Sequence, residues 1–277
     1  MLIRKYPRTP HLAGSALQPG DDGSDRVTVL QLRALHSDAE LITEEKLDGA
    51  NCGLSFSADL GLMVQSRGHV LTGGAREAQF GPLKAWAAWL EGELLEILED
   101  RYVMYGEWMF ARHTLFYDRL PHLFHEFDVY DRHEERFLST RARRDLLSGS
   151  RILSVPVLSE SWPGSDRELR GLIRPSLYRS GSWRETLAEA AERAGVDPAR
   201  ALRETGTSDL SEGLYLKVEK GGETIARYKL VRDGFVQTIL ESGSHWHDRP
   251  IIRNGLAPGV HIMAEPDRFG PDLQGGF

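Results

Sequence analysis

The sequence lacks several features that would assign it to a common class of protein. It has one cysteine, Cys52, so an internal disulfide and a cysteine-based zinc site are excluded and a reducing compartment is expected. No stretch approaches the roughly 18 uncharged apolar residues of a membrane span. The first residues have no apolar segment typical of a secretory signal. We therefore expect a cytoplasmic protein that does not associate with membranes.

Glycine-rich nucleotide-binding motifs are missing as well. The sequence contains neither a P-loop nor the glycine fingerprint of dinucleotide-binding folds. It also has no fixed-period repeat and no low-complexity stretch. Any nucleotide that this protein binds must therefore be held by a site of another kind.

Positive charge is in the minority. The 34 Lys and Arg residues are outnumbered by 41 Asp and Glu residues, which leaves a net charge of −7. An overall basic nucleic-acid-binding protein is therefore disfavoured, although a local basic groove is not. Hydrophobic residues make up 40% of the 277 residues, enough for the core of one large domain or two small ones.

The hydrophobic periodicity predicts an α+β fold with antiparallel sheets flanked by helices. Short runs typical of β-strands occupy residues 26–32, 40–46, 52–57, 61–66, 101–108, 122–130 and 155–160. Apolar residues three or four positions apart predict one amphipathic helix over 83–99, and 139–205 is predicted to be mostly helical. Two late strands, 213–219 and 223–231, are joined by a glycine-containing loop and predict a hairpin.

Local signals predict where two of the later helices begin and end. Ser182 and Glu185 have the spacing of a capping box, and Gly195 is a suitable stop for the helix that follows. Asp197 and Pro198 predict an N-cap followed by a proline at the first helical position.

One lysine has neighbours suited to nucleophilic chemistry. Lys46 lies at the predicted end of a strand, before Asp48 and Gly49, where a ligand can approach the backbone closely. A lysine attacks a phosphoryl or carbonyl centre only as the neutral amine, so its pKa must be lowered by burial or by nearby positive charge. Taken alone, a short motif of this kind is more often a surface turn.

Further charged and aromatic residues follow Lys46 in order along the chain. They are Arg67, Glu107, Phe124, Phe127, Glu212, Lys217, Arg227 and Lys229. Together they could supply acids for a divalent ion, cations for phosphates and a ring for a base. Each also has a structural interpretation: the acid could pair with a core cation, the rings could be core residues, and the late charges could form a solvated hairpin face.

This ordered set resembles the covalent nucleotidyltransferase superfamily of polynucleotide ligases and RNA capping enzymes. Within it, the nearest resemblance is to the ATP-dependent RNA ligase 2-like branch, with matched blocks from about 40 to 232. The resemblance implies a nucleotidyltransferase fold, described as an ATP-grasp-like ligase core. An adenylyltransferase domain would occupy 1–235, and a short tail, 236–277, would replace the C-terminal OB domain.

The resemblance also implies a role for each matched residue. Lys46 would become covalently adenylylated, with Asp48 as a second catalytic residue next to the metal ion. Nucleotide contacts would come from Glu45, Asn51, Arg67, Glu107, Phe124, Lys217, Arg227 and Lys229. Phe124 would stack on adenine, and the metal-site acids would be Glu212 and Asp48. The implied cofactors are ATP, as the donor of AMP, and Mg²⁺ or Mn²⁺.

The activity implied is ATP-dependent RNA ligation. A 5′-phosphate and a 3′-hydroxyl of RNA would be joined through a lysyl-AMP and an adenylylated RNA. Alternatives are a DNA ligase or a guanylyltransferase of the same superfamily, and a non-catalytic nucleotide- or RNA-binding module. With a net charge of −7, RNA binding is expected to be weak and salt-sensitive.

The C-terminal part of the sequence departs from the family pattern. Few residues follow Lys229, so we expect a partner protein to supply what a C-terminal domain would contribute. His245 and His247, on either side of Trp246, could bind a metal ion from one face of a strand. A contact with RNA, or a structural tail, is the favoured interpretation.

Overall fold

The computed structural model describes residues 3–241 and 249–263. Within these ranges ten strands form two sheets, with eight α-helices around them. The strands are β1 (Glu40–Lys46), β2 (Ala50–Phe56), β3 (Leu62–Ser66), β4 (Tyr102–Trp108), β5 (Phe124–Asp131), β6 (Arg136–Phe137), β7 (Leu153–Ser154), β8 (Val157–Ser159), β9 (Gly213–Lys220) and β10 (Glu223–Val231). The helices are α1 (Val29–Leu35), α2 (Gly81–Trp89), α3 (Glu91–Leu98), α4 (Thr140–Leu146), α5 (Asp166–Arg170), α6 (Trp183–Arg193), α7 (Pro198–Arg203) and α8 (Asp233–Glu241), and a 3₁₀ helix spans Ala75–Phe80. No helix in these ranges is long and apolar enough to cross a bilayer.

The two sheets are built almost entirely from antiparallel pairs. The smaller sheet has the strand order β10-β9-β1-β8, and the larger has the order β3-β2-β4-β5-β6. Of the pairings between these labelled strands, only that of β7 with β5 is parallel. The prediction of an α+β fold with antiparallel sheets flanked by helices is confirmed.

Helices α2 and α3 supply much of the core on the larger sheet. Trp86 and Leu94 are buried there in one cluster with Leu54 of β2 and Val103 of β4. The predicted single helix over 83–99 is broken at Leu90, where the backbone leaves the helical region for one residue. Gly92, whose low helix propensity disfavours a continuous helix, follows two positions later.

Two predictions based on local signals are wrong. The predicted strand 26–32 is replaced by α1, which begins at a capping box: the Thr28 hydroxyl accepts the Gln31 N–H, and the Gln31 side chain accepts the Thr28 N–H. The capping box predicted at Ser182 does not form. Its hydroxyl makes no cap hydrogen bond and lies 3.1 Å from that of Ser180.

Other local signals hold. The Asp197 side chain caps α7, and Gly195, after α6, has a φ of 68°. Gly221 and Gly222 join β9 to β10 with φ of 61° and 83°, a backbone conformation that favours glycine. The region 139–205 contains four helices, but β7, β8 and irregular segments separate them.

Both ends of the described chain pack against the domain. At the N-terminal end, His11 forms a parallel bridge with Lys229 on the outer strand of the smaller sheet. At the C-terminal end, Arg253 bridges to Ala111. Helix α8 runs across the boundary predicted at 235, and the residues 245–247 of the predicted histidine pair lie outside the described residues.

Candidate active site

A cavity lies between the two sheets, where β1 ends. It is lined by Tyr6, Pro7, Thr9, Glu44, Glu45, Lys46, Leu47, Gly49, Asn51, Arg67, Glu107, Phe127, Val155, Tyr215 and Lys229. Six of the residues predicted for the site are among them: Glu45, Lys46, Asn51, Arg67, Glu107 and Lys229. The fold therefore gathers side chains from both sheets around one opening.

Lys46 is the last residue of β1 and points to the cavity wall. Its Nζ donates a hydrogen bond to Glu212 Oε2 at 2.8 Å, and the Lys46 side chain is 24% exposed. The pairing of β1 with β9 puts Gly213 opposite Lys46, which brings the preceding Glu212 alongside. A Cβ on Gly213 would lie 2.0 Å from the Leu230 carbonyl oxygen, so no side chain fits at this position.

Two acids next to Lys46 have raised pKa values. Burial raises the pKa of Glu107 to about 8, against the opposing effect of the Lys46 charge. Burial likewise raises the pKa of Glu212 to about 7, although its ion pair with Lys46 acts in the other direction. Glu107 also accepts the backbone N–H of Gly49 at 3.1 Å. For both carboxyl groups, the effect of burial on the pKa therefore outweighs that of the neighbouring Lys46 charge.

The pKa of Lys46 itself is raised, not lowered. Burial acts to lower this pKa, but the negative charges of Glu212 and Glu107 outweigh burial and hold it above its ordinary value. The lowered pKa that nucleophilic attack requires is therefore absent while these carboxylates are unneutralised.

Asp48 supports the loop beside the cavity. Its Oδ2 accepts the backbone N–H groups of Thr114 and Leu115 at 2.8 and 2.6 Å, and its own N–H donates to the Tyr117 hydroxyl. Asp48 is buried and is not among the residues that line the cavity. Asp48, which was predicted as a metal-site acid, therefore has one carboxylate oxygen already hydrogen-bonded to the backbone.

Lys229 and Arg67 are the cations at the cavity that were predicted from sequence. Burial and the charge of Lys46 lower the pKa of Lys229, whose ammonium lies 3.6 Å from Asp21. Arg67 is exposed and donates to the Pro7 carbonyl at 3.2 Å. Both side chains are positioned to meet an anionic ligand.

Glu45 and Asn51 each have a buried oxygen without a hydrogen-bond partner among the described residues. The atoms are Glu45 Oε1 and Asn51 Oδ1. Burial raises the pKa of Glu45 to about 7. Buried polar atoms are usually hydrogen-bonded in folded proteins, and both residues line the cavity, so a bound ligand could satisfy them.

Lys217 and Arg227 do not face the cavity as the phosphate contacts that were expected. The fully buried Lys217 ammonium donates to Glu44 at 2.9 Å and to the Phe127 carbonyl, and Arg227 donates to Asp128 at 2.8 Å. Neither residue lines the cavity. Buried cations need acidic partners, and here these are Glu44, which lines the cavity, and Asp128, which does not.

Phe124 also requires a correction. Its ring is fully buried against Trp86, with ring centroids 5.1 Å apart, on the side of the sheet that α2 covers. Phe127 lines the cavity instead. The pairing of β4 with β5 shifts register at this point and leaves Phe127 as an extra residue in β5, an irregularity that re-aims side chains. Phe127 therefore replaces Phe124 as the candidate ring for a base.

Several lining residues were not predicted from the sequence: Tyr6, Pro7, Thr9, Val155 and Tyr215. Tyr215 had a usable signal, since it is two positions from Lys217 and alternate residues of a strand share a face. Tyr6, Pro7 and Thr9 had no such signal in the sequence. The Tyr6 hydroxyl bonds to that of Tyr215, which is 209 positions away in the sequence.

One comparison with known proteins identifies a family. The family model for RNA ligase matches residues 39–231, well over half of the chain. No curated protein sequence matches the chain.

Solved structures are similar over most of the chain. An RNA ligase of Naegleria gruberi with AMP and manganese is 17% identical, with a TM-score of 0.49 over 83% of this chain and 61% of that one. A form of the same enzyme with ATP and manganese gives a TM-score of 0.48 at the same identity and coverage. An archaeal ATP-dependent RNA ligase is 14% identical, with a TM-score of 0.46 over 84% of this chain and 49% of that one. This chain thus spans less than two thirds of each of these relatives.

Proposed function

Because the chain belongs to the RNA ligase family, we propose that it is an ATP-dependent RNA ligase that works through a lysyl-AMP and an adenylylated RNA. The observation that carries this proposal is the position of Lys46. Its Nζ stands at the wall of a cavity, 2.8 Å from Glu212 and beside Glu107, within reach of a bound ligand.

The first reaction step falls to Lys46. Its Nζ loses a proton and attacks the α-phosphorus of ATP, so that a nitrogen–phosphorus bond forms and the bond to pyrophosphate breaks. The Glu212 carboxylate, already hydrogen-bonded to Nζ, is placed to accept the proton. Lys229 lies on the same cavity and can offset negative charge on the phosphates.

The later steps transfer AMP and seal the strand. A 5′-phosphate oxygen of RNA attacks the lysyl-AMP phosphorus and releases Lys46. A 3′-hydroxyl then attacks the activated 5′-phosphate, and AMP leaves. Arg67, exposed at the rim of the cavity, is placed to hold an RNA end during these steps.

The donor set fits a divalent cation bound together with the substrate. Among the residues that the structure describes, no three His, Cys, Asp or Glu side chains are grouped as a ready metal site. Mg²⁺, however, is commonly held by one or two carboxylates with waters and substrate phosphates. Glu107 and Glu212, two buried carboxyl groups next to Lys46, would hold it. When bound, the ion would neutralise phosphate charge and weaken the hold of these acids on the Lys46 proton.

Labelling with α-³²P-ATP and Mg²⁺, followed by denaturing electrophoresis, tests the first step. We expect the wild-type chain to become labelled and Lys46→Ala to lose the label completely. Lys220→Ala, which removes an exposed lysine paired with Asp38, serves as the control and should label normally. Full labelling of Lys46→Ala would refute the assignment of the nucleophile.

The polynucleotide substrate is tested separately with the labelled enzyme. Matched nicks with 5′-phosphate and 3′-hydroxyl ends are offered in RNA and in DNA. We expect AMP transfer and sealing on RNA ends. A labelled enzyme that seals DNA in preference to RNA would move the chain to the DNA ligase alternative.

A further inference from the structure

A chain of three hydroxyl groups runs from the cavity to a buried carboxylate. Thr9 Oγ1 lies 2.9 Å from the Tyr215 hydroxyl, and this hydroxyl lies 2.6 Å from that of Tyr6. The Tyr6 hydroxyl in turn donates to Asp128 Oδ2 at 2.5 Å. Thr9, Tyr215 and Tyr6 all line the cavity, whereas Asp128 is fully buried beneath it.

The ionised carboxylate at the inner end fixes the direction of every hydrogen bond in the chain. Asp128 accepts from Arg227 at 2.8 Å and lies 3.5 Å from the Lys217 ammonium, so it is an acceptor only. The charge of Arg227, followed by that of Lys217, overcomes the effect of burial and holds the pKa of Asp128 at about 2. Tyr6 must therefore donate its proton to Asp128.

The same reasoning applies to the next two links. Each hydroxyl has one proton to donate. Since Tyr6 has donated its proton to Asp128, Tyr215 must donate to Tyr6. Thr9 must then donate to Tyr215. The outer end of the chain, at Thr9 and Tyr215, is left with lone pairs alone and can only accept hydrogen bonds from a ligand.

This acceptor end shares the cavity with an aromatic ring, Phe127, on which a base could stack. The Phe127 and Tyr215 rings both line the cavity, with centroids 6.3 Å apart and planes tilted by 40°. Tyr215 is paired with Glu44 on β1, two residues from Lys46. A nucleotide with its phosphates at Lys46 and its base against Phe127 would bring an edge of the base to the hydroxyl groups.

We propose that Thr9 and Tyr215 select adenine by accepting a hydrogen bond from its 6-amino group. Guanine and hypoxanthine carry an oxygen at this position, so acceptor would face acceptor and a buried hydrogen bond would be lost. The inference rests on the proposed function, since it assigns base selectivity to the same nucleotide site.

The test compares three nucleotides that differ at purine position 6. Initial rates of Lys46 labelling are measured with ATP, with purine riboside triphosphate, which has no 6-substituent, and with inosine triphosphate, which has an oxygen. We expect the wild-type chain to prefer ATP to purine riboside triphosphate by about tenfold, the value of one hydrogen bond. Thr9→Val removes one of the two acceptors and should reduce this preference, and Thr9→Ser should restore it.

A second variant tests the direction of the chain. Tyr215→Phe leaves the Thr9 hydroxyl without its acceptor, so the hydroxyl becomes free to donate to an oxygen at position 6. We expect the use of inosine triphosphate relative to ATP to rise severalfold in this variant but not in Thr9→Val. Thr186→Val, at a half-buried threonine of α6 outside the cavity lining, is the matched control and should keep the wild-type ratios.

Failure of the inference can be told apart from failure of the proposed function. Wild-type chain that labels with ATP, together with an unchanged nucleotide preference in Thr9→Val, would overturn base selection alone. If no nucleotide labels the wild-type chain, the ligase proposal falls. Equilibrium binding of ATP and purine riboside triphosphate to unreactive Lys46→Ala then still measures base selection, and equal affinities would refute it.

Discussion

At Lys46, the acids that position the nucleophile also keep it protonated. Glu212 and Glu107 hold the pKa of the lysine above its ordinary value although burial acts to lower it. The reaction needs the neutral amine, so the charge of these acids has to be offset before attack. On the proposed mechanism, nucleotide and cation would bind before Lys46 becomes reactive.

The first prediction at this scale concerns the pH dependence of lysine labelling. Glu212→Gln removes the larger of the charges that stabilise the ammonium, so the pKa of Lys46 should fall. We expect the rising limb of the pH–rate profile to move to lower pH by about one unit or more, even if the maximal rate drops. Glu40→Gln, at the exposed far end of β1, is the control. An unmoved profile would show that Glu212 does not govern the proton on Lys46.

The second prediction concerns stability. The pKa of Glu107 is about 8 in the folded state and near 4.5 when unfolded, so between these values only the folded state holds this proton. The free energy of unfolding should therefore fall as pH rises from about 5 to 8, by about 1.4 kcal/mol per pH unit for one proton. In Glu107→Gln, which cannot bind this proton, the free energy of unfolding should fall less steeply with pH, as measured by urea unfolding at several pH values. A slope equal to that of wild type would contradict the burial argument.

At the scale of elements, a buried ionic network that includes the cavity residue Glu44 ties the two sheets together. Arg143 of α4 donates to Glu44 of β1 and to Glu126 of β5, both at 2.7 Å. Lys217 of β9 and Asp128 of β5 continue the network toward the hydroxyl chain. Because each of these five side chains is fully or almost fully buried, the relative position of the strands depends on complete pairing.

Removing one partner from this network should be costly. Arg143→Met leaves Glu44 and Glu126 without their guanidinium, and we expect a loss of about 3–5 kcal/mol in the free energy of unfolding. The neighbouring Arg144 pairs with Glu160, with both side chains more than half exposed, so Arg144→Met should cost at most about 1 kcal/mol. Urea denaturation of the two variants measures the difference. Equal losses would mean that the buried pairs do not hold the sheets.

At the scale of the whole molecule, the negative net charge conceals a basic rim at the cavity. Lys5 and Arg8 are exposed in the N-terminal segment, between and beside residues that line the cavity. The Lys5 side chain packs on Gly68, next to Arg67. Local charge of this kind can bind an RNA backbone although the net charge is −7.

The corresponding prediction separates RNA binding from nucleotide chemistry. The double variant Lys5→Glu and Arg8→Glu should weaken RNA binding and reduce the slope of log affinity against log salt by about 2. With two cations fewer, the protein neutralises about two fewer phosphates, so fewer counterions are released from the RNA on binding. Labelling with ATP should persist. The control double variant, Arg33→Glu and Arg203→Glu, reverses two exposed charges outside the cavity lining. An equal loss of RNA affinity in the two double variants would show that the RNA does not bind at the rim formed by Lys5 and Arg8.

What the sequence determined by itself was local. Lys46 at a strand end, the glycine turn at 221–222 and the Asp197 cap were all predicted, because each depends on neighbouring residues and their backbone preferences. The order of charged blocks after Lys46 also indicated the family that its model later matched. The missed capping box at Thr28 was equally local and could have been found.

Only the tertiary structure decided which side chains face the cavity. Phe124 and Phe127 are three positions apart on β5 and face different sides of the sheet, and it is the packing of Trp86 on Phe124 that leaves Phe127 to line the cavity. Lys217 is buried and pairs with Glu44, which lies 173 positions away in the sequence, so no local pattern could reveal this pairing. Thr9 reaches Tyr215 across 206 positions. Burial and pairing of this kind depend on how distant segments pack, and packing is a property of the folded chain as a whole.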